Sequence, residues 1–434
     1  MRRRSNLAAL ALLAAPALLG AQRGSEKCDP ENSGIRLPQG FCAIVYAEKV
    51  VVDADTLKNP RHMAVAPNGD VIVSAQGRGG SSGVWILRDD NGDGRVDRQV
   101  HFARGFSSSE VALFDGYLYT ETSTEILRYP FPNGTFAPAG KPDTVAEDLP
   151  KGGNHQVKTF AIDRAGNLYV NFGTATNSCQ EADRQKESAG KRPCDEVEIR
   201  GGVWKFDARK LHQKPSAENH FARGIRNAVG IAMNPMDGKL WTTQHGRDGL
   251  GGEPENSGQW PQSAHYNAEN PAEELIQPNQ GDDYGWPYCY YAVEEHHLVL
   301  APEYGGDGKK VGECAQKKEP VAVFPAHWAP NGLMFYTGSM FPAKYKRGAF
   351  IAFHGSWNRA PEPQAGFNVV FQPLAGEKAG GAFEVFADGF APNLTAARPQ
   401  GNHKPTGLAQ GTDGSLFVAD DAGGRIYKIV YERK

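Results

Sequence analysis

Six times along this chain a glycine-bearing turn leads straight into a short run that alternates apolar and polar residues. Asn68-Gly69-Asp70 precedes Val71-Ile72-Val73, Asp115-Gly116 precedes Tyr117-Leu118-Tyr119, and Ala165-Gly166-Asn167 precedes Leu168-Tyr169-Val170. Asp237-Gly238-Lys239 then leads into Leu240-Trp241, and Asp413-Gly414-Ser415 into Leu416-Phe417-Val418; Arg347-Gly348 before Ala349-Phe350-Ile351 is a degenerate member. Such a turn joined to a strand-like run reads as a β-hairpin. The glycines stand 47, 50, 72, 110 and 66 residues apart. A repeat of about 40–50 residues with several short strands is the mark of a β-propeller, in which each unit buries its apolar face against its neighbours. The chain is therefore expected to be all-β, a six-bladed β-propeller with inserted loops. Seven blades is the alternative count and a β-sandwich the runner-up fold.

The three longer intervals require insertions, placed around Cys179 to Cys194 and over 249–318. No helical periodicity is sustained and no linker interrupts the pattern, so residues 22–434 are expected to form one domain. Residues 1–21 stand apart: Arg2, Arg3 and Arg4 precede an almost wholly apolar run from Leu7 to Leu19, followed by Gly20-Ala21. That is the form of a secretory signal peptide, too short for a membrane span. It predicts a periplasmic or secreted protein with no membrane span.

The six cysteines agree with an oxidising compartment. Sequence-local pairing, the simplest connectivity, joins Cys28 to Cys42, Cys179 to Cys194 and Cys289 to Cys314. The chain has no CxxC zinc pattern and no CxxCH haem attachment motif. A net charge of −3 and a pI near 6.5 give no electrostatic case for a nucleic-acid partner.

Several strand signals follow polar stretches carrying His, Arg or Asn: 59–62, 153–155, 223–227, 327–331 and 402–404. In a propeller, loops entering equivalent strands converge on the central channel, so these residues can line one pocket. His155 is the foremost of them. It lies in the glycine-rich approach Lys151-Gly152-Gly153-Asn154-His155-Gln156, neither a helix face nor a core position, and histidine is the side chain best suited to accept a proton near neutral pH.

Five stretches, 61–69, 223–230, 283–289, 354–359 and 420–427, together resemble the soluble glucose/sorbosone dehydrogenase family, quinoproteins that use pyrroloquinoline quinone (PQQ), and most nearly its L-sorbosone dehydrogenase-like branch. The resemblance spans nearly all of residues 22–434 and implies a six-bladed propeller. It also implies that His155 is the general base, taking the hydroxyl proton of a sugar or sugar aldehyde hydrate while hydride passes to PQQ. Gln156, Arg226, Asn227, Lys404 and Arg359 are the residues it assigns to the cofactor, with Arg226 also assisting catalysis at the quinone oxygens. His354 is an alternative to Arg359, and a further family cation is replaced by Thr406. The family's calcium is bound by backbone carbonyls that match Gly246 and Arg247 in the 244–248 loop. Two departures stand out: Asn154 where the glucose-oxidising branch often has Asp, and Arg247 where the family has proline.

With no haem motif, electrons are expected to leave through a separate acceptor, a quinone or a cytochrome. Two other functions suit the fold. A calcium-dependent lactonase wants several acidic side chains converging on a metal, and a non-catalytic binding propeller predicts no convergence of His155, Arg226 and the 244–248 loop. Asp89 to Asp97 begins like an EF-hand loop but has Val100 where a bidentate Glu is needed, and a tight hairpin loop is the better reading. His296-His297 beside Glu294-Glu295 is read as a solvated loop, and Trp286 and Trp357 as packing residues of the blades.

Overall fold

The computed structural model describes residues 26–77, 81–185, 187–251, 263–399 and 403–432. Residues 1–21, read as a signal peptide, and Asn402 of one pre-strand stretch lie outside the described residues. Six antiparallel sheets, each with a path of four strands, follow one another along the chain. Blade 1 comprises Pro60–Val65, Val71–Ala75, Gly83–Arg88 and Arg98–Phe102; blade 2 comprises Val111–Phe114, Tyr117–Glu121, Ile126–Pro130 and Asp143–Ala146. Blade 3 is built from Phe160–Ile162, Asn167–Phe172, Gly202–Asp207 and His220–Arg223, and blade 4 from Ile231–Met233, Leu240–Gln244, Glu273–Ile276 and Ala322–Phe324. Blade 5 has Pro330–Phe335, Gly348–Phe353, Asn368–Ala375 and Glu384–Ala387. Blade 6 takes three strands from the C-terminal end, Pro405–Gln410, Leu416–Asp420 and Arg425–Tyr431, and its fourth, Phe41–Glu48, from the other end of the chain.

The turn glycines do what the repeat requires. Gly69, Gly166 and Gly414, with φ of 94°, 90° and 90°, close the hairpin between the first two strands of blades 1, 3 and 6, in the left-handed region that favours glycine. Apolar side chains on the blade faces then pack between neighbours. Trp85, Leu87 and Val73 of blade 1 meet Phe417, Ala419 and Ile426 of blade 6, and Phe160, Leu168 and Trp204 of blade 3 meet Tyr119, Ile126 and Val145 of blade 2. The repeat reaches single residues: Trp85 stacks on its cross-strand partner His101 at 4.0 Å, and Trp204 on its cross-strand partner His220 at 3.9 Å.

The insertions lie where the spacing demands. One joins Phe172 to Gly202 in blade 3 and carries the Cys179–Cys194 disulfide; another joins Ile276 to Ala322 in blade 4 and carries Cys289–Cys314 on a two-stranded hairpin. Cys28–Cys42 ties the N-terminal side to the strand that completes blade 6. The 245–272 connection holds the one α-helix among the described residues, Ala264–Glu269. No helix among them is long and apolar enough to cross a membrane.

Candidate active site

His155 owes its place to two glycines and its proton to a threonine. Gly153, at φ 89°, packs so closely on Ala175 that a Cβ would come within 2.3 Å of its Cα. Gly173 is bare for a like reason: a Cβ there would meet His155 Cβ at 2.6 Å and Asn227 Oδ1 at 3.0 Å. These omissions let the loop, the strand end and Asn227 close on one point. His155 Nδ1 lies 3.0 Å from both the carbonyl and the hydroxyl oxygen of Thr174. That hydroxyl donates to Thr176 O at 2.7 Å, so both Thr174 oxygens act as acceptors. Nδ1 therefore carries the hydrogen and Nε2 keeps the lone pair. Burial first, and then the Arg226 cation, hold the imidazole well below its ordinary 6.5, so it is neutral at physiological pH.

Asn154 plays no part in this. Its side chain turns to Asp183 at 3.4 Å, and its N–H donates to Ala175 O. Gln156 is exposed and lines a cleft of about 590 Å³ with Asn59, Gln76, Ser109, Glu121 and Asp421. The buried Lys158, pulled down by its burial to about 8, donates to Gln156 O at 2.8 Å and fixes the backbone behind the base.

Arg226 is buried, its guanidinium held by Asn177 O at 3.2 Å, Asn177 Oδ1 at 2.9 Å, Gly246 O at 2.9 Å and Asp248 Oδ2 at 3.3 Å. The base, the arginine and the 244–248 loop thus converge. Burial pushes the Asp248 carboxyl up, but Arg226 and Arg184 outweigh it and hold the acid well below its usual range. His245, brought down to about 3 by burial and by Arg226, donates from Nε2 to Pro330 O. Asn227 is buried, and its Oδ1 finds no partner among the described residues.

In the cleft that Gln156 lines, Asp421 gathers a second group. It accepts from Arg61 Nη1 at 2.6 Å and from His354 Nε2 at 2.8 Å. Burial raises its carboxyl, yet His354 and Arg61 more than offset that and keep it at about 2. The half-buried Lys404 feels the same carboxylate, and Arg61 Nε is a buried donor without a partner among the described residues. Thr406 Oγ1 is likewise buried and unpartnered.

Two of the expected roles fare differently. Arg359 is buried with its guanidinium already engaged: it donates to Ala268 O at 2.7 Å, Ala326 O at 3.0 Å, Pro363 O at 3.2 Å and Glu269 Oε1 at 2.6 Å. It anchors a loop. In the 244–248 turn, Gly246 O already accepts from Arg226, and the Arg247 side chain turns inward to the buried Glu303 at 2.5 Å. Trp286 is buried as expected, donating to Asn177 O, but Trp357 is not a packing residue, being 53% exposed. The 89–97 segment is a hairpin loop whose Asp89 and Asp97 carboxylates cap its own backbone N–H groups. Sequence reasoning passed over Thr174, Asn177 and Asp421, and placed Arg61 only within a pre-strand stretch, with no role of its own. Of these, Arg61 and Asp421 lay inside matched stretches, where an arginine opening a strand and an aspartate closing one were the available signal.

Comparison with known proteins bears on this geometry. A family model described as TrAA12-like matches residues 43–432. A pyrroloquinoline quinone-dependent sugar dehydrogenase of Hypocrea jecorina is 28% identical over 224 residues, 48% of this chain and 47% of the relative. The chain spans about half the length of the first curated relatives it matches. Among solved structures, iodide and calcium structures of a Trichoderma reesei carbohydrate-active enzyme of family AA12 superpose with a TM-score of 0.74 at 20% identity, covering 92% of this chain and 98% and 97% of those chains. The holo form of the pyranose dehydrogenase PQQ domain from Coprinopsis cinerea gives 0.71 at 18% identity, over 95% of this chain and 99% of that one. At such identities the solved structures speak for the fold.

Proposed function

The chain belongs to the TrAA12-like family, and from that membership we propose that it oxidises a sugar or sugar aldehyde with PQQ as the electron acceptor and His155 as the base. The carrying observation is a neutral histidine with a fixed free lone pair beside buried cations and unpartnered buried polar atoms. PQQ is an anionic quinone bearing carboxylates. Arg61, Arg226 and Lys404 are cations suited to its carboxylates and quinone oxygens, Arg61 and Arg226 being shared with Asp421 and Asp248, and Asn227 Oδ1 and Arg61 Nε are buried groups that a polar ligand would satisfy. When bound, PQQ supplies a two-electron acceptor for the hydride lost from the alcohol carbon. His155 Nε2 takes the hydroxyl proton, and Thr174 stabilises the imidazolium so formed by accepting from Nδ1. Arg226 lowers the energy of negative charge that develops beside it, in a site where burial weakens screening.

Calcium belongs to this reading as a separate arm. Gly246 O is already met by a guanidinium, and the turn's carboxylate, Asp248, is paired with Arg184 and Arg226. One of the two expected carbonyls is thus already hydrogen-bonded to a cation of the chain, and no step is routed through calcium. The lactonase alternative weakens for a related reason: Asp248 and Asp421 are each matched by cations of the chain. A binding propeller predicts no convergence, whereas Arg226 donates to Gly246 O.

The three disulfides suit an exported protein, periplasmic or secreted, and the absent CxxCH motif suits transfer of electrons to a separate quinone or cytochrome. The test is titration of apoprotein with PQQ, with and without calcium, while dye reduction is followed on a panel of aldoses and sorbosone. Retained PQQ absorbance with turnover is the expected result; neither, on any substrate, sinks the reading. Activity that survives chelation with EGTA would remove calcium from it. His155→Ala should lower kcat by about 10²–10⁴ and leave PQQ binding intact.

A further inference from the structure

Trp357 sits in a loop, 354–359, that is anchored at nearly every residue except the tryptophan. His354 N–H and Gly355 N–H donate to Ala329 O and Trp328 O, each at 2.9 Å, while His354 Nε2 reaches Asp421. At Gly355 a Cβ would lie 2.3 Å from the Phe367 ring, so the chain runs flush against that side chain. Ser356 is buried, exchanging hydrogen bonds with Gln364 Oε1 and Ala365 N at 2.8 Å. Asn358 Nδ2 donates to Asp248 Oδ1 at 2.8 Å, and Arg359 grips the four acceptors named above. The loop is thus held at both ends by carboxylates, Asp421 of the cleft at one and Asp248 of the 244–248 loop at the other.

Between those ends Trp357 is 53% exposed, the one aromatic among the exposed large hydrophobic residues described. The other described tryptophans are buried or partly buried. Leaving so large an apolar surface in water on an anchored loop is unfavourable. Arg398 stands over the ring at 5.5 Å, and about half of the residue is open to solvent. An aromatic face is electron-rich and apolar, and attracts the weakly positive C–H face of a sugar ring as it attracts a cation.

We propose that Trp357 is a stacking platform that holds the ring of a pyranose substrate beside the cleft that Asp421 lines. It is a positioning residue, with Arg359 and Ser356 holding it in place, and it rests on the sugar-oxidising reading above. Two measurements test it, on the wild type, W357A and W357F. In steady-state assays with D-glucose and D-xylose, W357A should raise KM about five- to tenfold, with kcat and PQQ affinity within about twofold of the wild type, and W357F should recover most of the loss. In saturation-transfer NMR without dye, irradiation of aromatic protons should reach the ring C–H protons of those sugars in the wild type and fail to do so in W357A. An unchanged KM in W357A, loss of PQQ in that variant, or an unchanged NMR response overturns the proposal. Wild-type protein that retains no PQQ and oxidises no sugar would instead refute the parent reading. The NMR comparison needs neither cofactor nor turnover, so it still decides the stacking.

Discussion

The proton on His155 Nδ1 is placed by a chain of acceptors, Thr174 O and a Thr174 hydroxyl whose own hydrogen is committed to Thr176 O. Because burial and Arg226 hold the imidazole well below 6.5, the base stays competent through neutrality. Hence kcat/KM should be flat near neutral pH, with its acid limb below 6.5; a limb at or above that value would exclude His155 as the group being titrated. Asp421 makes a stability prediction of defined sign. Its carboxyl is depressed from 3.8 to about 2, so its contribution is present above the unfolded value and is lost as pH falls through the folded one. Asp421→Asn should therefore cost about 2 kcal/mol near pH 7, and much less once the pH falls below about 2, in denaturant titrations. His155 and Arg226 were legible because each stands in a short motif. The second group was not: Arg61 and Asp421 are 360 residues apart in the chain and meet only when the ring closes. Trp357 was misread because a tryptophan's exposure depends on what surrounds its loop, which the local sequence does not state.

The hairpins were the most readable elements, since a left-handed turn at Gly69, Gly166 or Gly414 constrains the sequence directly. The insertions were legible only as gaps in the spacing. Their content follows from a different rule, that a long connection must be tied down to stay over a site. The blade 4 insertion is fastened by Cys289–Cys314, a closure of 25 residues. Replacing both cysteines with serine should destabilise the protein by about 3 kcal/mol. Limited proteolysis should then show cleavage within 277–321 before the blades are cut. If the wild type and the variant are cut alike, the bridge does not hold this element. Arg359 belongs at this scale too, as the clasp of a loop. The family resemblance implied a cofactor contact, and only the positions of Ala268 O, Ala326 O and Glu269 explain why its cation is turned away.

For the molecule as a whole, the six-blade count was open to reading because each blade repeats the same signal, but the manner of closure was not. Phe41–Glu48 carries no turn glycine of the repeat, yet it completes blade 6 by pairing along Arg425–Tyr431, with Phe41 opposite Tyr431 and Glu48 opposite Arg425. Phe41, Ala43, Ile44, Tyr46 and Ala47 are all buried there. Deleting residues 26–48 should abolish a single cooperative melt by calorimetry, not merely lower Tm, because the deletion exposes a sheet edge and the apolar faces of blades 5 and 6. A truncated chain that melts as one sharp transition would show that closure is dispensable.

Because Phe41 waits for Tyr431, the ring has a seam that no partial chain can fasten. A ribosome partway through the message holds early blades beside an N-terminal strand with no mate, and that strand stays unpaired until residues 425–431 have been made. The ring of this chain cannot close before its last blade has been made. Interrupted products keep an open strand edge, the feature by which quality control and aggregation alike select their targets.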